Sequence, residues 1–250
     1  MKTVYERPSN VLTNEVFTTC GGCGHGIVFK LIAEVIEENG WEEKSIIVWP
    51  IGCSSFGYKG ISLDGINALH GRAPAVATGL KRETDDKIVI VYQGDGDMVS
   101  EGLAEIMSAA ARSEKISVIF VNNAIFGMTG GQMAATSLEN MVTSTSPFGR
   151  NPDVAGYPIN MSELISNLKG CYYAERAAVN TPANIKKTKK SIERVLKLQQ
   201  EGKGLSFLEI LSPCPTNWGM KPVQCLEWIE NEMVKQYPLG VFKDNDKEVL

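Results

Sequence analysis

Lys87-Ile88-Val89-Ile90-Val91-Tyr92-Gln93-Gly94-Asp95-Gly96-Asp97 is the stretch on which the reading of this chain turns. Lys87–Tyr92 is an apolar, β-branched run of the length of a buried strand, and Gly94-Asp95-Gly96-Asp97 ends it. Asn123, twenty-eight positions after Asp95, closes a second such run, Ile116-Ser117-Val118-Ile119-Phe120-Val121-Asn122. Two buried strands thus each end in an oxygen-bearing side chain. The first also ends in glycines, which let a bulky anion approach the backbone. Such an arrangement can hold a divalent metal against a diphosphate.

Outward from this pair the chain alternates helix and strand. His25 to about Asn39 has apolar residues at helical spacing and is closed by Gly40; Ser45–Trp49 reads as a strand. About Arg72 to Lys81 reads as a helix with Pro74 in its first turn, and about Ser100 to Ser113 as another. From Phe126 to about Met161 the sequence is rich in Gly, Ser, Thr and Pro with little periodicity, the mark of a binding loop or subunit contact. Beyond it come a short helix over about Ser162–Lys169, a short strand over about Cys171–Glu175, and a helix from Thr181-Pro182 to about Gln200. A strand over Leu205–Leu211 and a helix from Lys221-Pro222 to about Lys235 complete the pattern. This βα repetition predicts an α/β fold, a mostly parallel sheet with helices on both faces, as a single domain over residues 1–250. Cys53, Asp95, Asn123 and Cys214 each follow a strand, so they are expected at one sheet edge, where open α/β folds bind ligands.

Composition narrows the classes. Apolar content of 43% and charged content of 22% suit a soluble globular protein. A net charge of −4 argues against nucleic acid as a partner. Lys186-Lys187-Thr188-Lys189-Lys190 reads as the solvated face of a helix. No apolar stretch approaches the roughly 18–20 residues needed to span a membrane. The first twenty residues, with Glu6, Asn10, Asn14 and Glu15, lack a signal-peptide core, so a cytoplasmic location is expected. Six cysteines in a reducing compartment are then better read as metal ligands, redox centres or core residues than as a disulfide framework.

The chemistry of the pair suits Mg²⁺, which takes one or two protein side chains plus phosphate oxygens. Asp95 supplies a carboxylate, Asn123 an amide oxygen, and Ile125 a backbone carbonyl. Gly96 and Asp97 lead toward a helix whose N–H groups and dipole would face the phosphates. The bland alternative is a tight turn at Gly94–Asp97 and a strand cap at Asn122-Asn123; the pairing of the two favours function. The spacing resembles the thiamine diphosphate motif. The stretch Phe126-Gly127-Met128-Thr129-Gly130-Gly131-Gln132 after it resembles the cofactor loop of the β subunits of 2-oxoacid:ferredoxin oxidoreductases. The likeness runs from Thr18-Thr19-Cys20 to Pro213-Cys214-Pro215. It implies the thiamine diphosphate-binding fold, with Asp95, Asn123 and the Ile125 carbonyl on Mg²⁺. It also implies that Gly94, Gly96, Asp97, Gly127 and Met128 line the cofactor pocket, with Ile51, Gly52, Cys53 and Ser54 beside them.

Cys20-Gly21-Gly22-Cys23 is a C-x-x-C hairpin before a helix; by itself it fits a redox pair, half a zinc site or half a cluster site. Cys53 and Cys214 are isolated, in Gly- and Pro-rich turns, which tilts a four-thiolate site toward a cluster. The resemblance implies a [4Fe–4S] cluster on Cys20, Cys23, Cys53 and Cys214. Cys171 and Cys225 read as small core residues. His25 follows the hairpin, and His70 opens His70-Gly71-Arg72. Each histidine stands beside expected cofactor contacts and is a candidate catalytic residue. Arg72 is a candidate for neutralising a phosphate or the substrate carboxylate, with a helix-surface ion pair as its alternative.

The resemblance implies CoA-dependent oxidative decarboxylation of a 2-oxoacid to an acyl-CoA, with electrons passed to ferredoxin. Pro213-Cys214-Pro215-Thr216-Asn217-Trp218-Gly219 is more similar to the 2-oxoglutarate or 2-oxoisovalerate branch than to the pyruvate one. The glutamate that hydrogen-bonds the aminopyrimidine belongs to a separate pyrimidine-binding domain in thiamine enzymes. It is expected on an α subunit of a hetero-oligomer that also holds γ and ferredoxin-like subunits, so the isolated chain should be inactive. The Thr129–Asn160 stretch and the tail after Lys235 are candidate subunit contacts. Two rivals are a non-redox thiamine diphosphate decarboxylase or synthase subunit, and a zinc-stabilised interaction subunit of the same fold.

Overall fold

The apolar runs pair side by side into a seven-stranded sheet. The computed structural model describes residues 7–247. Glu6, used above against a signal peptide, and the end of the tail at 248–250 lie outside them. In chain order the strands are β1 (Ser45–Trp49), β2 (Asp64–Asn67), β3 (Ile88–Gly94), β4 (Ser117–Asn122), β5 (Cys171–Ala178), β6 (Leu205–Leu211) and β7 (Gly240–Asp244). Across the sheet they run β2-β1-β3-β4-β6-β5-β7. All neighbours are parallel except β7, which is antiparallel to β5.

The helices are α1 (Gly24–Glu38), α2 (Gly57–Gly60), α3 (Ala73–Glu83), α4 (Leu103–Ala111), α5 (Pro152–Ala155), α6 (Met161–Ser166), α7 (Pro182–Gln200), α8 (Pro215–Trp218), α9 (Pro222–Trp228) and α10 (Val234–Gln236). Strand alternation sorts them into two layers. Ile88, Ile90 and Tyr92 of β3 pack with α1 and α7 on one face. Val89 and Val91 pack with α3, α4 and α6 on the other. Each such side chain, once fully buried, contributes about 1.5–3 kcal/mol. The central strands are therefore held on both faces, and their C-terminal ends form a rigid rim. Helix ends follow local chemistry. Thr181 caps α7 by accepting from the Asn184 N–H at 3.1 Å, and Gly40, with φ 63°, turns the chain out of α1.

The structure departs from the sequence reading at identifiable places. The helix expected from Ser100 begins only at Leu103. Gly96–Ser100 winds as a wider π turn, and Gly102 then breaks the path, because its backbone abuts Gly71: a Cβ on Gly102 would lie 2.5 Å from the Gly71 Cα. The last helix is likewise interrupted, by a π segment over Ile229–Met233. Strands β2 and β7 escaped notice. β2 is Asp-Gly-Ile-Asn, exposed at every position, and is held by its pairing with β1 rather than by burial.

The stretch 126–161 contains one helical turn, α5, and is organised by Arg150. That buried guanidinium donates to the carbonyls of Ala134, Ala135, Ser137, Ala155, Gly156 and Tyr157 at 2.7–3.2 Å. Cys171 and Cys225 are fully buried in strand and helix, as expected. No helix among the described residues is long and apolar enough to cross a membrane.

Candidate active site

Strands β3 and β4 pair with Gly94 opposite Val121, which sets Asp95 and Asn123 side by side just past the sheet edge. Asp95 Oδ1 accepts from the Gly96 N–H at 2.9 Å. Its Oδ2 accepts from the Ile125 N–H at 3.1 Å and the Thr136 hydroxyl at 2.6 Å. Ala124 adopts the left-handed conformation, φ 58°, a strained state for a residue with a Cβ. The sharp turn aims the Asn123 side chain and the Ile125 carbonyl at one point. Asn122 braces it: its Oδ1 accepts from the Ala124 N–H at 3.0 Å, and its Nδ2 donates to Glu209 Oε1 at 2.8 Å.

The outcome is a cluster of polar groups. One end of the Asn123 amide stands 3.2 Å from Asp95 Oδ1 and 2.7 Å from the Ile125 carbonyl oxygen; with its oxygen there, three oxygens meet, and with its NH₂ there, it donates to both. Oxygens this close repel unless the amide turns to donate to both or a cation lies among them. Six oxygens at 2.0–2.1 Å from Mg²⁺ have adjacent separations of about 2.9 Å, so these residues fit one face of such a shell. Asp95 is almost fully buried, and burial pushes its carboxyl pKa up to about 6 against the lowering bonds from Thr136, Gly96 and Ile125. A divalent ion would relieve that penalty.

Every residue expected at the cofactor lines one cavity of about 70 Å³: Ile51, Gly52, Cys53, Ser54, Gly94, Asp95, Gly96, Asp97, Asn123, Ile125, Gly127 and Met128. Gly96 is glycine because a Cβ would lie 2.4 Å from the Phe126 ring. The Asp97 carboxylate is committed to the protein. It accepts from the Gly71 N–H at 3.0 Å and Gln93 Nε2 at 2.5 Å, and pairs with His70 Nδ1 at 3.1 Å.

Cys20, Cys23, Cys53 and Cys214 line an adjoining cavity of about 60 Å³, which shares His25, Cys53, Asn123 and Gly127 with the first. The hairpin closes through a Cys23 N–H bond to the Cys20 carbonyl at 3.0 Å. Its Gly22, with φ 81°, is pressed against Pro222 and Pro215. Gly127 faces both isolated thiols: a Cβ there would lie 3.1 Å from Cys53 Sγ and 3.8 Å from Cys214 Sγ. Among the described residues no three His, Cys, Asp or Glu side chains are arranged to hold a single ion. The thiols instead ring a space. Burial, reinforced by the neighbouring thiols, pushes Cys23 up to about 12 and Cys53 up to about 11; burial also raises Cys214.

His25 lies between the cavities, fully buried. It is hydrogen-bonded through Nδ1 to the Tyr92 hydroxyl at 2.7 Å and stacked on Phe29. Burial pulls its pKa down to about 4, so the imidazole is neutral at pH 7. His70 lines the cofactor cavity, half-exposed, with Nδ1 also 3.4 Å from Glu101 Oε2. The structure does not bring Arg72 to the cavity lining. Its guanidinium pairs with Glu105 at 2.8 Å and bonds the Glu101 carbonyl at 3.1 Å on the surface of α4. A larger groove of about 680 Å³, lined by Glu37, Lys186 and Lys189 among others, runs along α1 and α7, and none of the expected site residues lines it.

Three contributors escaped the sequence reading: Thr136 on Asp95, Trp218 with its Nε1–H on the Asn123 carbonyl at 3.0 Å, and Asn217 on the Gly127 carbonyl at 2.7 Å. Asn217 and Trp218 stand in the Pro213–Gly219 segment already compared with the family branches, but neither was singled out there. Thr136 carried no signal.

Residues 50–210 match the family described as thiamine pyrophosphate enzyme, C-terminal TPP binding domain. The chain is 35% identical to a 2-oxoglutarate synthase subunit KorB of Methanothermobacter marburgensis, over 87% of this chain and 74% of that one. It belongs to the thiamine diphosphate-binding subunits of the 2-oxoacid:ferredoxin oxidoreductases. A ketoisovalerate oxidoreductase subunit VorA of Methanothermobacter thermautotrophicus is 46% identical over 92% of this oxidoreductase subunit. The match covers 48% of that relative, so the chain spans about half the length of the ketoisovalerate relatives it matches. The fold is shared with a 2-oxoglutarate:ferredoxin oxidoreductase from Magnetococcus marinus, solved with 2-oxoglutarate, coenzyme A and succinyl-CoA bound. The TM-score is 0.77 at 25% identity, covering 97% of this subunit and 86% of that chain.

Proposed function

We propose that this oxidoreductase subunit holds thiamine diphosphate through Mg²⁺ on Asp95, Asn123 and the Ile125 carbonyl, and a [4Fe–4S] cluster on Cys20, Cys23, Cys53 and Cys214. With partner subunits it carries out CoA-dependent oxidative decarboxylation of a 2-oxoacid. The observation that carries the reading is the meeting of the Asp95 carboxylate, the Asn123 amide and the Ile125 carbonyl, the amide within 3.2 Å of the other two, beside a cavity ringed by four thiols. When bound, thiamine diphosphate supplies the electron sink for loss of CO₂, and the cluster stores the released electrons one at a time. Asp95 and Asn123 anchor the diphosphate end. Gly96 leaves room for the Phe126 ring and Gly127 for the thiols of Cys53 and Cys214, and Asp97 fixes the His70-Gly71 loop at the side of the cofactor cavity. Neutral His25, with Cys53 and Gly127, forms a thin wall between the cavities and excludes water from the path between them.

A single tetrahedral Zn²⁺ draws its thiolates to about 2.3 Å from one point; thiols spread around a cavity favour a larger cluster instead. The cofactor cavity, at about 70 Å³, is far below the roughly 300 Å³ of a small ligand site. No glutamate is among its lining residues. Both facts support a second wall, with the aminopyrimidine glutamate, from an α subunit or an equivalent domain; γ and ferredoxin-like subunits would complete the path to ferredoxin. The higher identity to ketoisovalerate relatives, 46% against 35%, makes a branched-chain 2-oxoacid the first substrate to assay and 2-oxoglutarate the second.

The test is anaerobic purification with its partner subunits. Iron, sulfide, magnesium and thiamine diphosphate are measured, together with 2-oxoacid- and CoA-dependent reduction of a one-electron acceptor. Expected are a brown protein with about four irons per subunit and acceptor-dependent turnover. A colourless protein that decarboxylates without an acceptor would establish the non-redox thiamine enzyme. Bound zinc, with a melting temperature indifferent to thiamine diphosphate, would establish the interaction subunit.

A further inference from the structure

One side chain after Cys214 reaches both cavities. α8 follows Cys214 directly and carries Asn217 one turn on, close to the thiol that precedes the helix. Asn217 Nδ2 donates to the Gly127 carbonyl at 2.7 Å and to Cys214 Sγ at 3.5 Å. A side-chain amide carries two N–H bonds, and these two acceptors use both. The rest of the group is also fixed. Gly131, with φ 81°, packs so closely that a Cβ there would lie 3.2 Å from Asn217 Oδ1. The next residue, Trp218, holds the carbonyl of the metal-site Asn123. Gly127, in turn, is the residue whose Cα faces the thiols of Cys53 and Cys214 and whose loop lines the cofactor cavity.

We propose that Asn217 is a positioning residue that joins the two sites, one N–H tuning the Cys214 sulfur and the other fixing the cofactor loop at Gly127. The inference rests on the reading of the four thiols as cluster ligands. A hydrogen bond to a ligating sulfur draws electron density from the cluster and makes it easier to reduce. The same amide holds the loop in place, so the loop's position and the electronics of the sulfur depend on one group.

The test uses the anaerobically purified complex with partner subunits, comparing wild type with Asn217→Leu and Asn217→Asp. Leucine removes both donors at similar size; aspartate keeps the shape, donates nothing and adds negative charge. Iron and sulfide content should stay at the wild-type level in both, since Asn217 ligates nothing. The midpoint potential of the cluster on these four thiols, followed by EPR, should move to more negative values in Asn217→Leu and further in Asn217→Asp. The thiamine diphosphate concentration for half-saturation should rise about three- to tenfold in Asn217→Leu, the worth of one hydrogen bond. An unchanged potential in both loaded variants overturns the proposal even if affinity falls, because a mere loop brace would move affinity alone. Absence of iron from the wild type overturns the parent reading as well, and metal analysis shows this before any variant is compared.

Discussion

The Asn123 side-chain amide stands 3.2 Å from Asp95 Oδ1, on the ends of neighbouring parallel strands and with the Ile125 carbonyl beside them. Burial there, only partly offset by the bonds from Thr136, Gly96 and Ile125, raises the Asp95 carboxyl to about 6. Between the unfolded value near 4 and the folded value near 6, the folded protein keeps a proton that the unfolded chain has lost. Stability of the metal-free protein should therefore fall as pH rises through this window and level off above it. The loss is about 3 kcal/mol for two units. Urea unfolding in EDTA at pH 4.5 to 7.5 checks this against Asp95→Asn, which does not titrate. The difference between the two should shrink toward acid pH. Mg²⁺ with thiamine diphosphate should flatten the wild-type slope and leave Asp95→Asn unaffected.

The four cavity thiols should behave as one set. Serine at Cys20, Cys23, Cys53 or Cys214 should each abolish most bound iron and sulfide, because a cluster lacking one ligand is exposed to loss. Serine at Cys171 or Cys225, both buried in the core, should leave iron content unchanged and cost stability only. Burial holds the thiols of Cys23, Cys53 and Cys214 protonated, so loading them releases protons. Reconstitution of the metal-free protein should accordingly be more complete at pH 8.5 than at pH 6.5. Iron retained after replacement of any one of the four would remove that residue from the set.

Gly96 offers a separate test of how the cofactor turn is built. A methyl there would meet the Phe126 ring at 2.4 Å. Gly96→Ala should cost about 1–3 kcal/mol by overpacking and should weaken thiamine diphosphate binding, since Phe126 adjoins Ile125. Phe126→Leu shortens the obstructing ring. A double-mutant cycle by urea unfolding should give a coupling of at least about 0.5 kcal/mol in favour of the pair. Additive costs would mean that the alanine methyl finds room without displacing the ring.

What could be read from the sequence divides along physical lines. β1, β3, β4 and β6 are buried on both faces, so their composition alone marks them. β2, exposed throughout, exists because β1 offers an edge. The strand-end residues Asp95, Asn123, Cys53 and Cys214 were legible because parallel topology carries strand ends to one rim. Thr136 was not, because its contact with Asp95 depends on the path of the irregular stretch, which Arg150 fixes through backbone carbonyls. For Arg72 the sequence offered a phosphate or substrate carboxylate, or a helix-surface ion pair; the structure shows the ion pair, because Glu105 on α4 lies within its reach.

The brace behind Asn123 should separate stability from metal binding. Arg176 is fully buried, with Nε on Glu209 Oε2 at 2.9 Å, a second pairing to Glu163, and the rings of Tyr237 and Phe242 within 5.3 Å. Glu209 also accepts from Ser162 and, through its other oxygen, from Asn122, which holds the strained Ala124 turn. Arg176→Met leaves a buried carboxylate uncompensated and should cost about 3–5 kcal/mol. Arg176→Met with Glu209→Met removes both charges and should recover much of that loss, as exchanges of buried pairs for apolar residues do. Yet the double variant frees Asn122, so the turn that brings Asn123 and Ile125 together loses its support. Urea unfolding should then report a protein near wild-type stability, while titration with Mg²⁺ at fixed thiamine diphosphate should show affinity reduced about tenfold, the scale of losing one outer support of a metal ligand. Affinity that recovered together with stability would confine this network to the core.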